Sequence, residues 1–236
     1  MPESLPWLAR YIKDSKYFAH YGRVKRDAFV ERRPATKASV YTHDNCIDGI
    51  NWDTGRQVYP QSLKGAGEIS RVEVEHLGMA ARPAKAAIDP DHHQDIFDQG
   101  EDMDSIKAAA CRLAESAVYV PCPTIGSYVR PKVSYVVVLG AENELEFLSA
   151  FCEKLIGRAD QAWECLIFND GNNGWAHAYN NQLTDHNVEA DRYHFRWFNQ
   201  KPSLGVEATY RRARGLSVCD LLTVHDLKSG VEWKLD

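Results

Sequence analysis

Between residues 134 and 180 the hydrophobic pattern changes period, and no other stretch restricts the fold as much. Residues 134–139 (SYVVVL) are an apolar, β-branched run of strand length bounded by Pro131 and Gly140, which predicts a buried strand. From Ala141 the apolar positions recur at three and four residues, as Leu145, Leu148, Cys152 and Leu155. Glu142, Glu144 and Glu146 crowd the start, where the helix dipole favours anions, and Gly157 closes the pattern, so an amphipathic helix follows. Residues 163–168 and 175–179 are two short β-prone runs around Asp170-Gly171-Asn172-Asn173-Gly174, whose Asn and Gly tolerate the positive φ of a hairpin turn. Strand, helix and β-hairpin are therefore expected in that order, and none of these residues names a reaction.

Taken from its start, the chain opens with residues 4–18, where Pro6 suits a first helical turn and Trp7, Leu8, Tyr11 and Ile12 form a stripe; this predicts a helix. Residues 38–42 (ASVYT) read as a strand, and 44–60 as loop or one short helix. Ser70-Arg71-Val72-Glu73 matches a capping box, with Val74 and Leu77 continuing a short helix to Gly78. The acidic stretch 89–104 reads as a surface loop. Asp104 is placed to cap a helix with Ile106, Ala110, Leu113 and Ala117 on one face, and 118–120 as a strand after it. Pro121, Pro123, Gly126 and Pro131 then form the densest group of breakers, which predicts a domain boundary. Beyond the hairpin, 191–198 alternates Tyr193, Phe195 and Trp197 with Arg192, His194 and Arg196, as a half-exposed strand does. A helix over 203–214 and strands over 216–224 and 231–235 complete an antiparallel meander with a helix on one face. The fold class expected is α+β in two domains, 1–121 and 132–236, the second mainly antiparallel and neither of them doubly wound or an all-helical bundle.

Composition narrows function by exclusion. With 236 residues, 44% hydrophobic and 26% charged, the chain has the make-up of a globular protein rather than a disordered one. The opening residues lack an apolar core of signal-peptide length and no apolar run reaches bilayer length, so a cytoplasmic protein without a membrane partner is expected. Six cysteines stand without a CxxC pair, which predicts free thiols. The net charge of −5 is unevenly spread, because residues 1–37 hold nine Lys or Arg against four acids.

Arg10-Tyr11-Ile12, Lys16-Tyr17-Phe18, Arg23-Val24-Lys25, Ala28-Phe29, Ser39-Val40-Tyr41, Gly65-Ala66-Gly67-Glu68-Ile69, Gly78-Met79, and His93 with Ile96 follow one another in an order that resembles a family of small uncharacterised bacterial proteins. The chain departs from that pattern at Thr42, where the family usually has Arg, and at Asp91-His92, where it usually has Pro-Arg. The resemblance implies a bacterial, cytoplasmic setting and one domain of the first half. It assigns no activity and covers nothing after Pro121.

The richest polar cluster is His177, Asp185, His186, Glu189, Asp191 and His194, which supplies general-base and metal-ligand types. His177, Asp185, His186 and His194 are the candidate catalytic set, weighed against imidazoles that merely sit on an exposed strand face. Asp170-Gly171-Asn172 lacks the distal Glu of a calcium loop. His43 with Cys46, and His92 with His93, lack the paired spacing of structural zinc, so neither a metal nor a cofactor is expected. Cys46 on its loop reads as an ordinary cysteine, since no basic partner is placed beside it. GxGxxG, GxxxxGK[ST], HExxH and GxSxG are all missing. Arg23, Lys25 and Arg26 interleave with Tyr17, Phe18 and Tyr21 as phosphate-contacting and base-stacking surfaces do, and Arg211 and Arg212 add a second basic group. The leading expectation is a non-catalytic binding or accessory protein with a protein partner or, second, a nucleic acid. The alternative is a hydrolase or nuclease-like enzyme using the His/Asp cluster.

Overall fold

The computed structural model describes residues 7–19, 23–30, 38–125, 129–140, 144–158, 162–170, 179–180, 182–183, 193–200, 203–219, 221–228 and 230–234. Helices and strands mix along the chain, which is α+β as expected. The residues group into two compact units, Met1–Tyr128 and Val129–Asp236, and the division lies inside the breaker-rich stretch.

The first unit is built on an antiparallel eight-stranded sheet. In chain order its strands are β1 (Trp7–Ile12), β2 (Phe18–Ala19), β3 (Arg23–Val24), β4 (Ala38–His43), β5 (Gly65–Ser70), β6 (Ala80–Pro83), β7 (His93–Phe97) and β8 (Val118–Pro121), arranged β2-β3-β8-β5-β1-β4-β7-β6. Its helices are α1 (Trp52–Val58), α2 (Arg71–His76) and α3 (Met103–Ser116). The opening helix expected over 4–18 is instead β1, paired with β4 on one side and β5 on the other. The spacing misled because Leu8/Ile12 and Trp7/Tyr11 are four apart, and four residues bring side chains to one face in a strand as well as in a helix. Leu8 and Ile12 face the core formed with Phe29, Val40, Ile96 and Leu113. The acidic stretch 89–104 likewise contains β7, where Ile96 is fully buried between β4 and β6. The Ser70 half of the capping box forms as expected, Ser70 Oγ accepting the Glu73 N–H at 3.2 Å, while Glu73 Oε1 accepts the Ser116 Oγ–H at 2.7 Å. For α3 the cap lies two residues earlier than expected, at Asp102, whose carboxylate accepts the N–H groups of Asp104 and Ser105.

The second unit holds β9 (Val133–Leu139), α4 (Leu145–Ile156), β10 (Trp163–Asn169), β11 (Tyr193–Asn199), α5 (Val206–Leu216), β12 (Leu222–His225) and β13 (Glu232–Lys234). Its sheet runs β11-β10-β9-β12-β13. The expected mainly antiparallel meander is corrected here: β10 is parallel to both β9 and β11, β12 is parallel to β9, and only β13 is antiparallel. The expected hairpin cannot form across β10, because both of its edges are already taken. Its turn and most of its return run, 171–178, lie outside the described residues, and Tyr179 and Asn180 are helical. The helices cover both faces rather than one. Val133, Tyr135 and Val137 of β9 pack with Leu148, Phe151 and Leu155 of α4, whereas Val136 with Leu166 and Phe168 packs against Ala213 and Leu216 of α5. A doubly wound sheet results, which corrects the expectation that neither domain is of that kind, and the run SYVVVL is apolar on both sides because both sides are buried.

Candidate functional site

In a doubly wound sheet the default ligand crevice lies beyond the carboxyl ends of the strands, where the strand order reverses. Here that point lies between β9 and β12. Among the described residues of this edge, Glu144 Oε2 accepts the Gly140 N–H at 2.9 Å and Oε1 lies 3.5 Å from Lys228 Nζ, so a nearly buried carboxylate stands beside the end of β9. Along the same edge Asp170 accepts Leu204 N–H at 3.0 Å and Ser203 Oγ–H at 2.6 Å, and Asn169 Nδ2 donates to Asn199 Oδ1 at 3.0 Å.

The candidate catalytic set is not brought together among the described residues. His177, Asp185 and His186 lie outside them, and His194 is placed by its backbone alone, in register with Glu164 near the amino end of β11. That end of the sheet is opposite to the one where parallel sheets hold ligands. Glu164 itself serves the core: it accepts from Ser134 Oγ and from Val218 N–H at 3.0 Å, and pairs with Arg196 Nη1 at 3.1 Å. All six cysteines are free. Burial pushes the Cys152 thiol up to about 12 and Cys165 well above its ordinary value, which suits core packing and not nucleophilic attack. His225, which the sequence does not single out, stacks on Phe151 at 3.8 Å, and burial lowers its basicity although Glu232 at 3.2 Å acts the other way. Among the described residues no three His, Cys, Asp or Glu side chains gather as a metal-binding group, and no helix is long and apolar enough to cross a membrane.

Of the basic candidates, Lys25 and Arg26 are exposed, and Arg26 Nε donates to Asp27 at 3.2 Å. Arg23 is placed by backbone only, in β3. Arg211 pairs along its own helix with Glu207 at 3.0 Å. Arg212 lies over the stacked rings of Phe168 and Phe198, 5.9 and 5.3 Å from their centroids, a packing role in the second unit.

Among the described residues of the first unit, Tyr11 lines two clefts. The smaller, about 270 Å³, is bordered by Tyr41, His43, Asp44, Asn51, Asp89 and His92. His92 Nδ1 donates to Asp89 Oδ1 at 2.7 Å, and Thr54 Oγ1 donates to the other oxygen at 2.9 Å. The Asp89 hydrogen bond holds the exposed His92 imidazole above its ordinary value. Burial alone would raise the Asp89 carboxyl, but the bonds from His92 and Thr54 outweigh it and hold it below the usual range. His43 donates Nδ1–H to Asn45 O at 2.8 Å, while Nε2 faces Glu68 Oε1 at 3.5 Å and burial disfavours the imidazolium. The lining offers an imidazole oriented by a carboxylate and no Ser or Cys nucleophile among its described residues.

The larger cleft, about 470 Å³, forms where β1 ends and the chain turns back. Arg10, Lys13 and Lys16 supply three cations, Asp14 and Asp27 two anions, and Tyr11, Tyr17 and Tyr59 the rings. Arg10 is fixed by donating to Ala28 O at 2.9 Å and Ser39 O at 2.7 Å. Asp14 accepts Lys16 N–H at 2.9 Å and pairs with Lys16 Nζ at 3.4 Å, which holds the partly exposed carboxylate below its ordinary range. Lys13 Nζ has Tyr59 beneath it, 5.5 Å from the ring centroid, and makes no ion pair among the described residues. Lys16 Nζ sits 4.9 Å from the Tyr17 centroid. Lys13 and Tyr59 are not singled out by the sequence, whose spacing puts the first on a helix and the second in a loop or one short helix. The basic excess of residues 1–37 was the available signal.

No family model, curated protein or solved structure matches the chain.

Proposed function

We propose that this is a non-catalytic binding protein of the bacterial cytoplasm that takes an anionic partner in the cleft at the end of β1. One observation carries the reading: Arg10, Lys13 and Lys16 converge on a 470 Å³ concavity in a chain whose net charge is −5. Gathering cations at one concave place against an acidic whole raises the local concentration of anions and leaves the rest of the surface repelling them. The size falls in the roughly 300–1,000 Å³ range usual for ligand sites. The carboxyl edge of the second unit supports the same reading, since the nearly buried Glu144 carboxylate beside the end of β9 disfavours a phosphate there. A protein partner bearing phosphates or carboxylates and a nucleic acid both present the required charge.

Retention of the full chain on immobilised heparin tests the proposal. The unmodified chain is expected to bind at low salt and to elute as salt rises, and Lys13→Glu with Lys16→Glu to flow through with its circular dichroism unchanged. Equal retention of the double variant would place the anion site elsewhere. The enzyme alternative, on His177, Asp185, His186 and His194, predicts a hydrolytic activity that His194→Ala abolishes while heparin retention stays the same.

A further inference from the structure

We infer that the ligand of the Arg10, Lys13 and Lys16 cleft is a nucleoside phosphate, with its base on Tyr59 and its phosphate on the lysines; this rests on the anion-binding reading above and deepens it. Charge alone would admit sulfate, a carboxylate or an acidic peptide. The rings decide against them. Tyr17 and Tyr59 are only half-buried, and each carries a lysine ammonium over its ring at 4.9 and 5.5 Å. An ammonium over a ring marks an accessible π face, and the faces that attract cations are the ones on which nucleobases stack. A base arriving on Tyr59 takes the place of the Lys13 ammonium, which then turns to the phosphate attached to that base. A simple anion uses the lysines and leaves both rings idle.

The acids in the lining do not cancel this site. Asp14 is engaged with Lys16 and its backbone, and Asp27 with Arg26. Lys13 makes no ion pair among the described residues, so its charge is available. Arg10, tied to two backbone carbonyls, adds a fixed positive wall. The space of about 470 Å³ suits one mononucleotide. Whether that unit is a free nucleotide or one residue of a single strand is the same chemistry at this site, and the experiment separates the two.

Calorimetric titration of the full chain with ADP, adenosine, inorganic pyrophosphate and a short oligothymidylate is the test. ADP is expected to bind about tenfold or more tightly than pyrophosphate, the worth of a stacked base, with adenosine not saturating. Tyr59→Leu should erase the advantage of ADP over pyrophosphate while Tyr59→Phe keeps it, and Lys13→Gln should weaken both ligands. That ratio of two ligands on one protein does not respond to a general loss of structure. Tighter binding of the oligothymidylate than of ADP assigns the site to a nucleic-acid strand, and equal or weaker binding assigns it to a free nucleotide. Pyrophosphate binding as tightly as ADP, or an unchanged ratio in Tyr59→Leu, overturns the nucleoside assignment and leaves the anion site standing. If neither pyrophosphate nor heparin binds, the anion reading falls as well.

Discussion

Glu164 and Arg196 show how much one buried residue can carry. The Glu164 carboxylate is almost wholly buried and the guanidinium of Arg196, 3.1 Å away, is 12% exposed; Arg196 also donates to Leu216 O at 2.6 Å. Removing one partner leaves the other as an uncompensated buried charge, a loss of about 3–5 kcal/mol in comparable pairs. Arg196→Met is therefore expected to lower the urea midpoint strongly, and Arg196→Met with Glu164→Gln to recover part of the loss. Near-equal stability of the single variant would mean that Glu164 is held by Ser134 and Val218 alone. His92 and Asp89 make a second residue-level prediction, on pH. The His92 imidazole is raised, so its contribution is complete below its ordinary value of 6.5 and fades as pH climbs through the raised one. Asp89 is lowered, so its contribution is present above 3.8 and is lost as acid reaches the lowered value. Proton NMR of the His92 ring should give a titration above 6.5 that Asp89→Asn moves back toward it. A titration at the ordinary value in the unmodified chain would show that the pair does not form.

At the scale of elements, Gly55 illustrates why α1 can lie where it does. A Cβ at that position would come within 2.8 Å of Tyr11 Cε1. Gly55→Ala is expected to cost about 1–3 kcal/mol by overpacking, and to disturb both clefts because Tyr11 lines each of them. Thermal unfolding that matches the unmodified chain would mean that α1 shifts freely over the sheet. Local signals of this kind were legible in sequence: the Ser70 cap, the β9 strand, α4 with its end at Gly157 and the α3 apolar face all stand where chemistry placed them. What was not legible was which strands meet. The run at 163–168 and the turn residues after it read as half a hairpin, but hairpin and crossover begin alike, and the pairing of β10 with β9 and β11 is decided by distant residues. The clue was present in SYVVVL, whose lack of alternation points to a strand covered on both faces.

For the whole molecule, each unit has its own sheet and its own clusters of buried apolar residues, and separate opening of the two is a prediction. Hydrophobic residues of the first unit cluster around Leu8, Val40, Ile96 and Leu113, and those of the second around Val137, Leu148, Cys165 and Ile167. Limited proteolysis is expected to cut first between 121 and 132 and to leave two resistant fragments; first cuts within 36–90 would contradict that. The basic end of the chain was visible in composition, but the cleft was not, because Tyr59 joins Lys13 only through the fold. On the proposed reading the ligand surface lies on the first unit and not at the carboxyl edge of the second, where Glu144 and Asp170 are engaged by Gly140, Lys228, Ser203 and Leu204. Amide chemical-shift mapping of the full chain titrated with pyrophosphate and ADP tests this most directly. Shifts are predicted at residues 10–17, 27–30 and 59; shifts confined to 139–144, 169–170, 199–204 and 225–228 would contradict it and move the site to the doubly wound sheet.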